Sequence, residues 1–344
     1  MAWGHRRIRI ALVASAVLGA GALLAVSESS GQRSKSSTST ATAPVAATVV
    51  APAPAAVRVA AATPRCFGAA SMAKKRCHNP ALKGRLIPRP GIAKRETARY
   101  PGKECYQSGV QQIRLNRGCT FGTRAAGRPH VILVGDSHAR ALMPAFVEMA
   151  EAGHISLEAQ VRGSCSWTTS RVNHPDKSRI RPCTLYRKNL QRWLLKQART
   201  TDVVVTTGYA RQVSGSAKSQ VIKMRDLWRP VIKRGVRVIA ISDNPRLKRE
   251  PQKCLVKYGA TRGARKCGVS TKAGLHRDPF LLTAKKTRGA TALDLRPRFC
   301  KKGFCPAVIG GANVYRDHTH ITVTYSKTLA PVITGKFRAM RIIR

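Results

Sequence analysis

The chain has 344 residues and a formal net charge of +48, from 63 Lys and Arg against 15 Asp and Glu. That length holds a leader plus one large domain or two small ones, and the charge implies attraction to an anionic polymer or surface. Only 5% of residues are aromatic and no finger, homeodomain or RNA-binding signature is present, which argues against a nucleic-acid partner.

At the N-terminus His5, Arg6, Arg7 and Arg9 precede an apolar run from Ile10 to Val26. Residues 1–26 therefore read as a signal anchor or a signal peptide, with the basic flank in the cytoplasm and the rest exported. Ala25-Val26-Ser27 has the small residues of a cleavage site, so both forms stay open. Residues 27–64 are rich in Ser, Thr, Ala and Pro and read as a disordered linker. Residues 1–64 hold six basic side chains and one acid, so residues 65–344 carry about +43 of the charge themselves.

Residues 65–128 are irregular, hold four cysteines and read as a stapled arm around a sheet. From Val131 onward, strand and helix patterns alternate. Strands are expected at 131–134, 155–161, 202–207, 236–242 and 291–295. Helices are expected at 139–152, 183–198, 219–235 (with a kink or break at Pro230) and 322–337. The basic segment 244–290 reads as loop. The alternation predicts an α/β fold, a three-layer α/β/α sandwich on a central parallel sheet of about five strands, over residues 65–344.

The ten cysteines contain no C-x-x-C, which argues against a zinc ribbon. Sequence neighbours bracket short loops, and export favours oxidation. The expected pairs are Cys66–Cys77, Cys105–Cys119, Cys165–Cys183, Cys254–Cys267 and Cys300–Cys305, each contributing about 3 kcal/mol by loop closure.

Two stretches carry chemistry. "VILVGDSHARALMPAF" (131–146) is an apolar run that stops at Gly135-Asp136-Ser137-His138, followed by a helical pattern. Asp and Ser cap helices and Gly turns the chain, so a plain turn and cap is one reading. The other is a serine nucleophile raised at the carboxyl end of a strand, where open α/β sheets bind ligands. "VYRDHTHIT" (314–322) presents Asp317 and His320 on one short turn. The acid can orient the ring and the ring can take a serine proton. A capping Asp beside a surface His is the plainer alternative. His318 is the rival base, but it is adjacent to Asp317 and its side chain diverges from it.

Together these stretches resemble the SGNH (GDSL-like) hydrolase superfamily. They are most similar to the extracytoplasmic SGNH domain of bacterial membrane-bound polysaccharide O-acetyltransferases. "GSC" (163–165), "DVVV" (202–205) and "LDLRPRFC" (293–300, with Cys305 beyond) fit the same pattern more weakly, and the likeness spans roughly residues 100–335. It implies Ser137 as nucleophile, His320 as general base and Asp317 as its orienter, with no cofactor and no metal. It also implies the N–H groups of Ser137 and Gly163 as oxyanion donors. The third block of many relatives, Gly-x-Asn-Asp, reads here Gly208-Tyr209-Ala210-Arg211, so the Asn donor is missing and Arg211 is either its substitute or a surface base. Losing one such donor costs about 10²–10³ in rate. Only one apolar segment stands in the chain, so acyl groups would come from a separate membrane acyl-donor protein or a diffusible ester.

The expected function is that of an extracytoplasmic O-acetyltransferase or acetylesterase acting on an anionic cell-envelope polysaccharide, membrane-anchored or secreted. The alternative is a non-catalytic, basic envelope polymer-binding protein on the same scaffold.

Overall fold

The computed structural model describes residues 63–73 and 77–344. The leader and almost all of the linker lie outside the described residues. Among the described residues no helix is long and apolar enough to cross a membrane.

The sheet follows from runs that are apolar on both faces. It has six strands: β1 (Thr120–Phe121), β2 (His130–Gly135), β3 (Ser156–Val161), β4 (Val203–Thr207), β5 (Arg237–Ile241) and β6 (Ala290–Leu293). They lie in the order β1-β3-β2-β4-β5-β6. β1 runs antiparallel to β3, and the other five strands are parallel. Successive side chains point to opposite faces. Val131, Leu133, Val203, Val205, Ile239 and Ile241 thus enter one core, while Ile132, Val134, Val204, Val238 and Ala240 enter the other. Two apolar faces need two helical layers, and the α/β/α sandwich results.

One layer holds α1 (Ser137–Glu151), α6 (Val323–Thr328) and α7 (Ala330–Ala339), which bring Phe146, Tyr325, Ile333 and Phe337 to the first core. The other holds α2 (Ile180–Gln197), α3 (Ala217–Ile232) and α5 (Pro279–Lys285), with Tyr186, Leu190, Trp228 and Phe280 in the second core. Pro230 lies in the last turn of α3, and the helix continues past it to Ile232.

Three expectations are corrected. Segment 244–290 is not loop: it holds α4 (Pro251–Lys266), kinked at Gly259, and α5. Each starts with an acidic cap before a proline, Glu250-Pro251 and Asp278-Pro279, a strong start signal that the surrounding basic charge masks. The single helix expected at 322–337 is two helices, parted at Leu329 just before Pro331. The arm adds one edge strand, β1, to the sheet. Disulfides join Cys66–Cys77, Cys105–Cys119, Cys165–Cys183, Cys254–Cys267 and Cys300–Cys305.

β2 is the strand where the chain reverses its order of laying down neighbours: β3 goes to one side and β4 to the other. A crevice opens at the carboxyl end of such a strand. There stands Ser137.

Candidate active site

Gly135 ends β2 and Asp136 caps α1, its Oδ1 accepting the His138 N–H at 2.8 Å. The cap is therefore supplied by Asp136 rather than by Ser137. Asp136 Oδ2 also accepts the Ser166 hydroxyl at 2.6 Å and the Tyr209 N–H at 2.8 Å. This one buried carboxylate ties the loops after β3 and β4 to the first turn of α1. The buried Arg187 of α2 holds the β3 loop from the other side, donating to the carbonyls of Ser166 and Ser170 at 2.7 Å each.

Ser137 is the first residue of α1. Its N–H has no partner within the helix, and the positive end of the helix dipole lies there. Its Oγ is 2.9 Å from His320 Nε2. His320 Nδ1 is 2.9 Å from Asp317 Oδ2. Asp317 Oδ1 accepts the N–H groups of Thr319 and His320, and Arg316 donates to Oδ2 at 3.1 Å. Burial alone would raise the Asp317 carboxyl, but the His320 contact and the two amides outweigh it and hold it well below the usual carboxylate range. Burial, then the neighbouring charge of His138, lowers His320 against the raising effect of Asp317. An ionised acid and a neutral imidazole are the states a general base needs. No hydrogen bond joins the His318 side chain to this relay among the described residues: its carbonyl accepts the Leu247 N–H, and its Nδ1 is buried without a partner.

Behind this relay lies a second acid–imidazole pair. His138 Nδ1 is 2.5 Å from Asp243 Oδ1. The ring stacks on Tyr209 at 4.7 Å and lies 4.9 Å from the His320 ring. Burial would lower His138, but Asp243 outweighs it and raises the ring above the ordinary imidazole value. The Asp243 backbone N–H donates to Asp278, whose burial pushes its carboxyl up to about 6. Sequence reading missed Asp243; the signal, "SDN" at the end of a strand, is too short to stand out.

The other expected site residues fare differently. The Gly163 N–H donates to the Gln107 carbonyl at 2.8 Å, so in this structure it is not free for an oxyanion. The expected arm around the sheet covers that edge through Gln107, a contact that no pattern in 65–128 specified. Gly163 is instead a close-approach position: an added Cβ would lie 2.6 Å from Tyr106 Oη. Gly208 is another, with Asp136 Oδ2 at 2.8 Å and Ser166 Oγ at 2.6 Å from such a Cβ. Arg211 lines a separate crevice with Arg246 and His276, away from the Ser137 cleft. The cleft itself, about 160 Å³, is bounded by Ser137, His320, Tyr106, Arg140, Arg316 and Glu96. Tyr106, Arg140 and Arg316 were not singled out by sequence.

A family model described as the SGNH domain (fused to AT3 domains) matches residues 104–335. The chain belongs to this SGNH domain family. No curated protein sequence is significantly similar to it. Among solved structures, the SGNH domain is similar to the periplasmic domain of a lipopolysaccharide acetyltransferase from Salmonella ser. Paratyphi A. Identity there is 16% over 72% of this chain and 94% of that one, with a TM-score of 0.52. It also matches a carbohydrate esterase family 2 enzyme with a carbohydrate-binding domain from Corynascus thermopiles (Myceliophthora fergusii). That match has 10% identity over 65% of this chain and 70% of that one, with a TM-score of 0.34. At these identities the likeness is one of fold.

Proposed function

We propose that this SGNH domain is an extracytoplasmic serine acyl-transfer enzyme that moves an acetyl group onto or off a cell-envelope polysaccharide. The observation that carries the reading is the unbroken contact chain Ser137 Oγ, His320 Nε2, His320 Nδ1, Asp317 Oδ2 at the mouth of a cleft. Five disulfides and the periplasmic domain with the same fold support placement outside the cytoplasm.

Ser137 Oγ attacks the acetyl carbonyl carbon while His320 Nε2 takes the hydroxyl proton. The carbonyl oxygen becomes an oxyanion beside the Ser137 N–H and the start of α1. Collapse expels the donor's alcohol oxygen, which takes the proton back from His320, and leaves an acetyl ester on Ser137. A sugar hydroxyl or water then gives its proton to His320 and attacks the ester. The serine is restored in both cases. Asp317 keeps the imidazole in the required tautomer and supports its transient positive charge. The donor ester is presented by a separate membrane acyl-donor protein, in keeping with the family's fusion to AT3 domains, or is diffusible.

A non-catalytic binder on the same scaffold is the second reading. The engaged Gly163 amide and the missing Asn at Ala210 favour it. A chromogenic acetyl ester and a serine-reactive phosphonate decide between the two. Turnover with covalent labelling that disappears in Ser137→Ala supports the enzyme. Absence of both in folded protein overturns it in favour of the binder.

A further inference from the structure

We propose that a groove running from the Ser137 cleft along the 98–114 arm is a subsite for an anionic sugar unit, one position away from the acetylated hydroxyl. This rests on the polysaccharide reading above and adds to it the recognition chemistry and the residues.

The groove has a volume of about 410 Å³, within the usual range of ligand pockets. It shares Ala98, Tyr106 and Arg140 with the cleft that holds Ser137 and His320, so the two form one continuous surface. Arg140 sits at the junction, three residues after Ser137 on α1. Side chains at that spacing share a helix face.

The charges along this surface are not balanced. Arg114 pairs with Glu104 at 3.0 Å, and Arg316 pairs with Asp317 at 3.1 Å. Glu96 is taken by the Thr324 N–H and hydroxyl at the start of α6. Arg99, Lys103 and Arg140 form no ion pair among the described residues, and all three line the groove. Arg140 is also fixed. Its Nε donates to the Ala98 carbonyl at 3.0 Å, and its guanidinium carbon lies 4.0 Å over the Tyr106 ring. Burial, with the like charges of Arg316 and Arg99, disfavours its charged form, so a bound anion would relieve both the desolvation and the repulsion.

A planar guanidinium already locked by stacking loses little freedom on binding, and its fork matches a carboxylate or a phosphate with two parallel hydrogen bonds. Tyr100, packed edge-on against Phe121 at 4.7 Å, adds an aromatic wall for the apolar face of a sugar. The shared chemistry is an oxyanion on a sugar ring: a uronate carboxylate or a sugar phosphodiester.

The test uses full-length Ser137→Ala protein, so that turnover does not enter. Calorimetric titration at near-physiological salt compares a galacturonate trisaccharide, a galactose phosphodiester oligomer and a neutral galactose trisaccharide. One of the two anionic oligomers should bind about tenfold or more tightly than the neutral one, and which one does so identifies the source of the charge. Arg140→Gln should weaken that binding about fivefold or more, and Arg140→Lys should recover only part of it. Lys233→Gln serves as control: Lys233 is exposed, follows α3 and precedes β5, at the opposite, amino edge of the sheet.

Equal binding of neutral and anionic oligomers overturns the subsite. So does an equal loss in Arg140→Gln and Lys233→Gln, which would mean diffuse attraction to a basic surface. The enzyme reading fails separately, through absent turnover and labelling in the wild-type protein. Arg140-dependent anion binding would survive that failure.

Discussion

The imidazoles of His138 and His320 lie 4.9 Å apart, each bonded to its own carboxylate: His138 to Asp243 at 2.5 Å and His320 to Asp317 at 2.9 Å. The two pairs are electrically different. His138 is fully enclosed and raised by Asp243. His320 opens on the cleft and is lowered by burial and by the His138 charge. Positive charge on His138 resists a proton on His320, which favours the neutral imidazole that the proposed general base requires.

This sets the pH profile. His320 is the base only when unprotonated, so kcat/KM on an acetyl ester should rise with pH through a midpoint below the ordinary imidazole value of about 6.5. In Asp243→Asn, His138 loses its main raising partner, leaving only Asp136 and Asp317 against burial, and its affinity for a proton falls. The positive charge beside His320 weakens, its midpoint moves up, and activity near pH 6 falls more than activity near pH 8. A pH profile unmoved by Asp243→Asn would show that the second pair does not reach the base.

Ser137→Ala removes one oxygen from a half-exposed position and should leave the unfolding midpoint nearly unchanged while abolishing acyl-enzyme formation. Mass spectrometry after phosphonate treatment checks this. Asp317→Asn should retain the nucleophile and base but lose the tautomer and charge support, lowering kcat about 10²–10⁴-fold. A variant of Asp317 with full activity would remove it from the relay.

Gly208→Ala places a methyl carbon 2.8 Å from both Asp136 Oδ2 and Phe280 Cζ. Neither the capping carboxylate nor the packed ring can retreat freely. A loss of about 1–3 kcal/mol in urea unfolding is expected. Activity should fall further than the unfolded fraction accounts for, because Asp136 positions the turn that carries Ser137.

Asp278 makes stability fall as pH rises. Its carboxyl goes from 3.8 to about 6 on folding, so its contribution is fully present below about 3.8 and is lost through about 6. The change is on the order of 3 kcal/mol between those limits. Asp278→Asn should flatten the stability profile between pH 4 and 6.5 in chemical denaturation. A slope equal to that of the wild type would place the titration elsewhere.

Several features were legible without a structure. Short, β-branched, doubly apolar runs such as Val131–Val134 fit strands buried on both faces, and their alternation with amphipathic segments points to the layered sandwich. Close cysteine pairs bracketing short loops are joined locally, because a short chain keeps its ends near each other. Asp317 and His320, three residues apart on one turn, meet through local geometry alone. Where strong basic charge overlaid the pattern, as in α4, the Glu250-Pro251 start signal was passed over.

Other contacts depend on the chain folding back over long distances. Ser137 and His320 are 183 residues apart in sequence, and His138 and Asp243 are 105 apart. The Gly163 amide is engaged because the stapled arm returns to β3 and offers the Gln107 carbonyl. Arg140 owes its fixed position to Tyr106, from that same arm. Sequence alone therefore determined the layers, the bridges and the Asp317–His320 turn, since each follows from hydrophobic period or chain proximity. The lowering of His320, the engagement of the Gly163 amide and the charged groove were decided only by tertiary structure, because hydrogen bonds and burial are set by which distant segments pack against one another.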